Sequence, residues 1–428
     1  MKLVKDEIPP YVKNRNIRNK KIYISGKSVC WFLLVIQLLM ANITKHSVYY
    51  QISALMFMFS SFLYLFLHKG IRINKYYIIT FVFIIYNSII ITLGDVINKT
   101  HSTNMVKTIS INLILLILFY SFISYVQDTE KLLKLYVNVS AITDIIILFI
   151  FRDSLNTGRL AFSWGDSVSS YKIFGIEVIT AGSNGIAYFS AIAFLLASYL
   201  FFTKGKKCIY LFYDLLFICT ILLTGSRKGI FILVIGFVCL ANILSKHGKK
   251  VFYITVAIII AILIYFLSQN IPLLYEIMGS RLNELFNLIF KKQVSDSSIN
   301  TRMRLIEMAI GFAKERPIFG YGLDAFRILG PWGIITDNNY LEIIVSSGIV
   351  GLIIYYSYII FVLRDYFLLK NKSKICKLFF IIFILNLIIE YGSVTYFERN
   401  FGFINAMLFY ILQTEKKERQ YELGKEQY

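Results

Sequence analysis

Three short segments carry the residue types that chemistry on an anionic substrate needs. In Thr224-Gly-Ser-Arg-Lys-Gly229, Arg227 and Lys228 stand between glycines that leave the backbone open to a phosphate. Snorkelling of both side chains to lipid phosphate explains them as well. In the run that begins Asn300-Thr-Arg-Met-Arg304, a guanidinium offers the planar fork that suits phosphate or carboxylate. Residues two apart on a helix point about 200° from each other, so Arg302 and Arg304 should not enter one pocket. Arg302, beside a cap at Asn300 or Thr301, is placed to add its charge to the free amides of a helix N-terminus. Salt bridges within loops are the plainer role for any one Arg. The third segment, Asp337-Asn-Asn-Tyr340, sets a carboxylate where a membrane span begins. Asp337 is a candidate general base there, or an Asx cap for the span, and Asn338 and Tyr340 stand beside it as substrate-contact candidates.

These segments must be held by a membrane scaffold. With 428 residues, 57% hydrophobic and a mean hydropathy of +0.65, the chain is too apolar for a soluble globular domain. Its apolar residues come in twelve blocks near the roughly 20 residues that cross a bilayer as helix. The blocks are 24–43, 48–67, 76–94, 106–126, 132–151, 184–202, 208–224, 230–245, 251–267, 340–363, 378–396 and 401–412. The expected fold is therefore all-α and integral to the membrane, with about twelve spans. A tail over 1–23 precedes nine spans in 24–267, a large helical loop fills 268–338, three spans follow in 339–412, and a second tail ends at 428.

The net charge of +20 is first explained by orientation in the membrane, and no nucleic-acid recognition motif accompanies it. We count about 28 Lys and Arg on the side of the termini against about 17 opposite, which places both termini in the cytoplasm and the long loop outside. The basic N-terminal tail is unlike a cleaved secretory signal. Outward-facing segments favour Arg where inner ones favour Lys, and orientation alone does not require that. Cys30, Cys208, Cys219, Cys239 and Cys376 lie in or beside spans with no shared outer loop, so neither a disulfide framework nor a metal site is expected.

Within the long loop, Leu274, Ile277, Met278, Leu282, Leu285, Phe286 and Ile289 recur at helical spacing, as in a helix on the membrane surface or packed on the spans. A second helical pattern has Met303, Ile306, Ile310 and Ala313 as its apolar positions and stops at Arg316-Pro317. Phe319-Gly-Tyr-Gly-Leu-Asp324 then supplies a flexible turn. A second outer loop, 152–183, holds Arg159 and Glu177 among Gly, Ser and aromatic residues. Asp144, Asp214, Asn386 and Glu390 fall inside apolar blocks, where structural pairing is the expectation.

Taken in order, Thr224-Gly-Ser-Arg-Lys-Gly229, Arg302, Arg316-Pro-Ile-Phe-Gly-Tyr-Gly322, Asp337-Asn-Asn-Tyr-Leu-Glu342 and Ser347-Gly-Ile-Val-Gly-Leu352 resemble the O-antigen ligase and polymerase superfamily over roughly 184–363. The resemblance implies a metal-independent membrane glycosyltransferase of GT-C-like architecture, without cofactor, in the bacterial plasma membrane. Its substrates would be oligosaccharides linked to undecaprenyl diphosphate, with a chain-length regulator and a flippase of the same pathway as partners. Ligases of this family carry a His where this chain has Asp337, a departure that favours a polymerase of repeat units for capsule, O-antigen-like chains or exopolysaccharide. The family's basic residues carry over to Arg227 and Arg302, and to Arg159 by its place before Gly182-Ser-Asn-Gly185. On this reading Asp337, Arg302 and Arg227 are catalytic, and Arg159, Lys228, Arg304, Glu177, Asn338 and Tyr340 bind substrate. A ligase is the alternative within the family, and a lipid-linked sugar flippase is the alternative outside it. A flippase would place its essential charges along a central path, often with paired halves.

Overall fold

A computed structural model describes residues 25–43, 48–68, 70–152, 155, 160, 171–173, 176–178, 182–205, 207–245, 250–287 and 297–425. Each of the twelve apolar blocks holds a helix over most of its described length. The first nine helices are α1 (Gly26–Ile43), α2 (Val48–His68), α3 (Lys75–Leu93), α4 (Lys99–Val126), α5 (Thr129–Ile150), α6 (Gly182–Thr203), α7 (Cys208–Thr224), α8 (Arg227–Leu244) and α9 (Lys250–Asn270). The outer loop contributes α10 (Ser297–Glu315), and α11 (Asn339–Leu368), α12 (Lys374–Ile389) and α13 (Arg399–Lys425) complete the bundle. Among the described residues, nine helices are long and apolar enough to cross a membrane, and a bent pair over 262–284 would make ten, against the twelve spans expected; Cys208–Thr224 is apolar but shorter. The spans α2 and α3 show why the chain is so apolar: Phe59, Phe66 and Leu93 are largely exposed on their outer faces, where lipid rather than water is the solvent. Apart from helix there is a small antiparallel hairpin, Tyr171–Ile173 with Ile176–Val178, in which Lys172 pairs in register with Glu177.

The centre of the bundle is α6, buried on nearly every face. Its Ala and Ser positions let neighbours approach closely, which is how spans associate when lipid gives no hydrophobic drive between them. A Cβ on Gly229 of α8 would sit 2.6 Å from the Ala187 Cβ, so α8 crosses α6 at near backbone contact. Polar groups inside the bundle are tied across helices. Ser190 donates to Asp144 at 2.8 Å, Ser198 to Asp214 at 3.1 Å, and the Tyr188 hydroxyl to Asn386 at 2.9 Å. Glu390 accepts from Tyr356 at 2.7 Å and from Thr395 at 2.5 Å. All four are thus structural pairs, as buried polar groups in lipid must be.

Several boundaries differ from the sequence expectation. The block ending at 396 is helical only to Ile389, followed by one 3₁₀ turn, Glu390–Gly392, and an irregular stretch to Glu398. The α10 helix starts at Ser297, so Asn300 and Thr301 lie within it rather than capping it. Its buried residues are Leu305 and Ala309, joined by Met308, Phe312 and Ala313 against α11, while Met303 and Ile310 are exposed. After α9 the chain turns by 105°, with Pro272 opening the next helical segment and a π-helical turn at Tyr275–Gly279. This segment packs on the spans, with Ile277 and Met278 buried and Leu274 and Leu282 against the main core. Ile289 lies outside the described residues.

The Phe319-Gly-Tyr-Gly turn is fixed rather than flexible. Helix α11 breaks at Gly348, whose φ is 67°, and the turn fills the break. Tyr321 and Gly322 amides donate to the carbonyls of Val345 and Ser346 at 2.9 and 2.8 Å, while Ile349 and Val350 amides donate to Pro317 and Ile318 at 2.8 and 3.4 Å. Each backbone group that the break frees is answered by the turn, as burial requires.

Candidate functional site

Asp337 and Asn338 divide the two roles that the sequence left open for Asp337. Asn338, with extended backbone at φ −139°, is the N-cap: its side-chain oxygen accepts from the Leu341 amide at 3.1 Å. Asp337 has φ 57°, a left-handed conformation that Asp tolerates, and takes no part in the cap. Thr336 locks the turn from the other side, donating its hydroxyl to the Asn338 carbonyl at 2.8 Å and accepting the Asn338 amide at 3.2 Å. Removing the cap by Asn338→Ala is expected to lower thermal stability by about 1 kcal/mol, read from unfolding in detergent.

Released from capping, Asp337 meets Arg302. The Arg302 Nε donates to Asp337 Oδ2 at 3.1 Å. Arg302 lies in the second turn of α10, three residues before the buried Leu305, so it leans toward the start of α11. The expected partnership with free helix-terminal amides does not occur, because those amides belong to residues 297–300. Arg304 points away and is exposed, as the 200° separation requires. With side chains 35% and 42% exposed, the Arg302–Asp337 pair is worth only about 0–1 kcal/mol to stability, so a ligand can replace either partner at small cost.

The second basic segment approaches from the spans. Gly225 has φ 59° and ends α7; Ser226 caps α8, accepting from the Gly229 amide, and donates to Asn184 at 3.0 Å. This tight turn projects Arg227 and Lys228. The Lys228 Nζ donates to Ser393 Oγ at 2.6 Å and feels the charges of both Arg302 and Asp337. Arg227 is 3.7 Å from the Glu284 carboxylate. Arg302 of α10 and Asp337 at the entry to α11 thus pair directly, with Lys228 of α8 in electrostatic reach of both. Such a cluster can hold a phosphate group beside a carboxylate that accepts a proton.

The other candidates fall elsewhere. Tyr340 turns into the bundle, donating to the Leu387 carbonyl at 2.7 Å and stacking on Tyr356 at 4.9 Å. These contacts hold Tyr340 between α11 and α12. Arg159 lies outside the described residues, although the following Leu160 is anchored near the Arg227 turn, its amide donating a hydrogen bond to the Leu223 carbonyl at 3.0 Å. Glu177 is placed only by its backbone, in the small hairpin.

Two partners were missed by the sequence reading, Ser393 and Glu284. Ser393 was hidden inside a block taken as apolar, and the polar run Glu390-Tyr-Gly-Ser-Val-Thr395 was the signal that the span had ended. Glu284 lies within the 274–289 pattern, where only the apolar positions were read.

Residues 212–356 match the model of the family described as O-antigen ligase, a stretch that runs from α7 into α11 and holds Arg227, Lys228, Arg302 and Asp337. No curated protein matches the chain.

Proposed function

We propose, from the match of residues 212–356 to the O-antigen ligase family, that the chain polymerises lipid-diphosphate-linked oligosaccharide repeat units outside the membrane. The observation that carries this reading is the Arg302–Asp337 ion pair at the mouth of α11, with Lys228, held by Ser393, in electrostatic reach of both. Transfer from a lipid diphosphate asks mainly for neutralisation of the departing charge, which two cations from separate segments supply where water is scarce. Asp337 accepts the proton of the attacking sugar hydroxyl once the diphosphate has drawn Arg302 away. The hydroxyl oxygen bonds to the anomeric carbon as the carbon–oxygen bond to the diphosphate breaks, so direct attack inverts the anomeric configuration. Arg227 lies one residue from Lys228 and extends the basic surface toward the same anion.

The carboxylate in place of the family ligases' His favours repeat-unit polymerisation over ligation. In this reading the carrier is undecaprenyl diphosphate, no metal takes part, both termini are cytoplasmic, and a flippase and a chain-length regulator work on the same substrate. The test supplies purified protein with lipid-diphosphate-linked repeat units and resolves the products on a gel. A ladder of lengthening lipid-linked glycans is expected. A single product on a non-repeat acceptor would identify a ligase, and folded protein that moves the lipid without forming a covalent product would identify a flippase.

A further inference from the structure

The end of the bundle opposite the Arg302–Asp337 cluster holds a second concentration of charge. Asp365, near the end of α11 and almost enclosed, has Lys75 Nζ at 2.6 Å, Arg364 Nε at 3.7 Å and Lys416 Nζ at 3.7 Å. The Tyr76 hydroxyl also donates to it at 2.7 Å. One carboxylate cannot neutralise three cations. Two adjoining cavities of about 340 Å³ each open at this point, one bordered by Lys75, Lys416 and Lys417, the other by Arg72 and the same Lys417. Of the charged residues lining them, four are basic and only Asp365 and Glu418 are acidic. Gln413, common to both cavities, accepts from Asn74 and from Tyr120 through its oxygen, which leaves its amide group as a donor.

Charges that serve only to orient a chain need neither a cavity nor convergence on one buried carboxylate. Here both are present, where α3 begins, α11 ends and α13 passes alongside. We propose that this paired cavity binds a phosphate-bearing anion, the headgroup of an anionic phospholipid in the adjoining leaflet. The lipid source is favoured by the walls: Ile73, just before α3 and shared by the two cavities, is 64% exposed, and Ile78 in the first turn of α3 is 54% exposed. An acyl chain can follow that face while its phosphate meets Lys75, Lys416, Lys417 and Arg72.

The test uses the full chain, purified in neutral detergent and stripped of lipid, and measures binding of short-chain phosphatidylglycerol, short-chain phosphatidylcholine and inorganic phosphate. Phosphatidylglycerol is expected to bind at least about 10-fold more tightly than phosphatidylcholine. Lys75→Gln/Lys416→Gln/Lys417→Gln is expected to lose that preference, while Lys370→Gln/Lys374→Gln, on the same side of the bundle, keeps it. Should the triple variant fail to fold, Lys416→Gln/Lys417→Gln on the exposed part of α13 makes the same test. Inorganic phosphate that binds alone as tightly as the lipid, and is lost in the same variant, would keep the phosphate site but assign it to a soluble ligand, overturning the lipid source. Equal binding of the two lipids, or a preference unchanged in the lysine variants, would overturn the site.

Discussion

Arg302→Ala is expected to lower glycosyl transfer by about 10²- to 10³-fold while leaving the unfolding temperature nearly unchanged. The two halves of this expectation have one origin. The Arg302–Asp337 pair is more than a third exposed on both sides, so breaking it costs about 1 kcal/mol of stability at most. A cation aimed at the charge that develops on a departing diphosphate is worth several times more in the transition state, because it needs no reorganisation when the charge appears. Arg302→Lys should recover only a small part of the lost rate, since an ammonium lacks the planar fork that holds two oxygens at once. The measurement is the initial rate of product formation by folded, monodisperse protein. A rate near that of the unaltered chain would remove Arg302 from the reaction.

The second large effect concerns the broken helix. Gly348→Ala is expected to cost more than about 4 kcal/mol, enough to prevent recovery of folded protein from the membrane. A Cβ at this position would lie 2.0 Å from the Ile318 carbonyl oxygen and 2.5 Å from the Phe319 amide nitrogen. Both are backbone atoms of a turn already held by four hydrogen bonds, so neither can retreat cheaply. The φ of 67° adds strain that only glycine escapes. Gly311→Ala in α10 serves as the control, because a Cβ there meets nothing within 4 Å. That change should be neutral or stabilise by up to about 1 kcal/mol. Similar yields and unfolding temperatures for the two variants would contradict the inserted turn.

How far the sequence foresaw this molecule depends on which signal each part used. The twelve helical blocks were legible because a span announces itself by a local run of apolar residues. The same signal overran the end of α12, since Tyr391, Val394, Tyr396 and Phe397 keep the hydropathy high after the helix has stopped. Arg316-Pro-Ile-Phe-Gly-Tyr-Gly322 and Ser347-Gly-Ile-Val-Gly-Leu352 were visible as separate motifs. That they are two halves of one backbone exchange is a non-local fact that no spacing records. The direction of Arg302 was half legible: its divergence from Arg304 follows from helix geometry alone. Its partner was not, because α10 begins earlier than its cap residues suggested and presents Leu305 and Ala309 rather than Met303 and Ile310 to α11. The capping question at Asp337 turned on one positive φ, which makes Asn338 the cap and leaves Asp337 for Arg302.

The central claim is that Arg302 and Lys228, 74 positions apart in the chain, act on one anionic group. The most direct test is a double-mutant cycle on the rate of transfer from the lipid-diphosphate donor, with Arg302→Ala, Lys228→Ala and the pair. Residues that serve one group are coupled, so the double variant should lose clearly less than the product of the two single losses, by a factor of about 3 or more. Single losses that multiply without coupling, or singles that retain near-normal rates, would contradict the site.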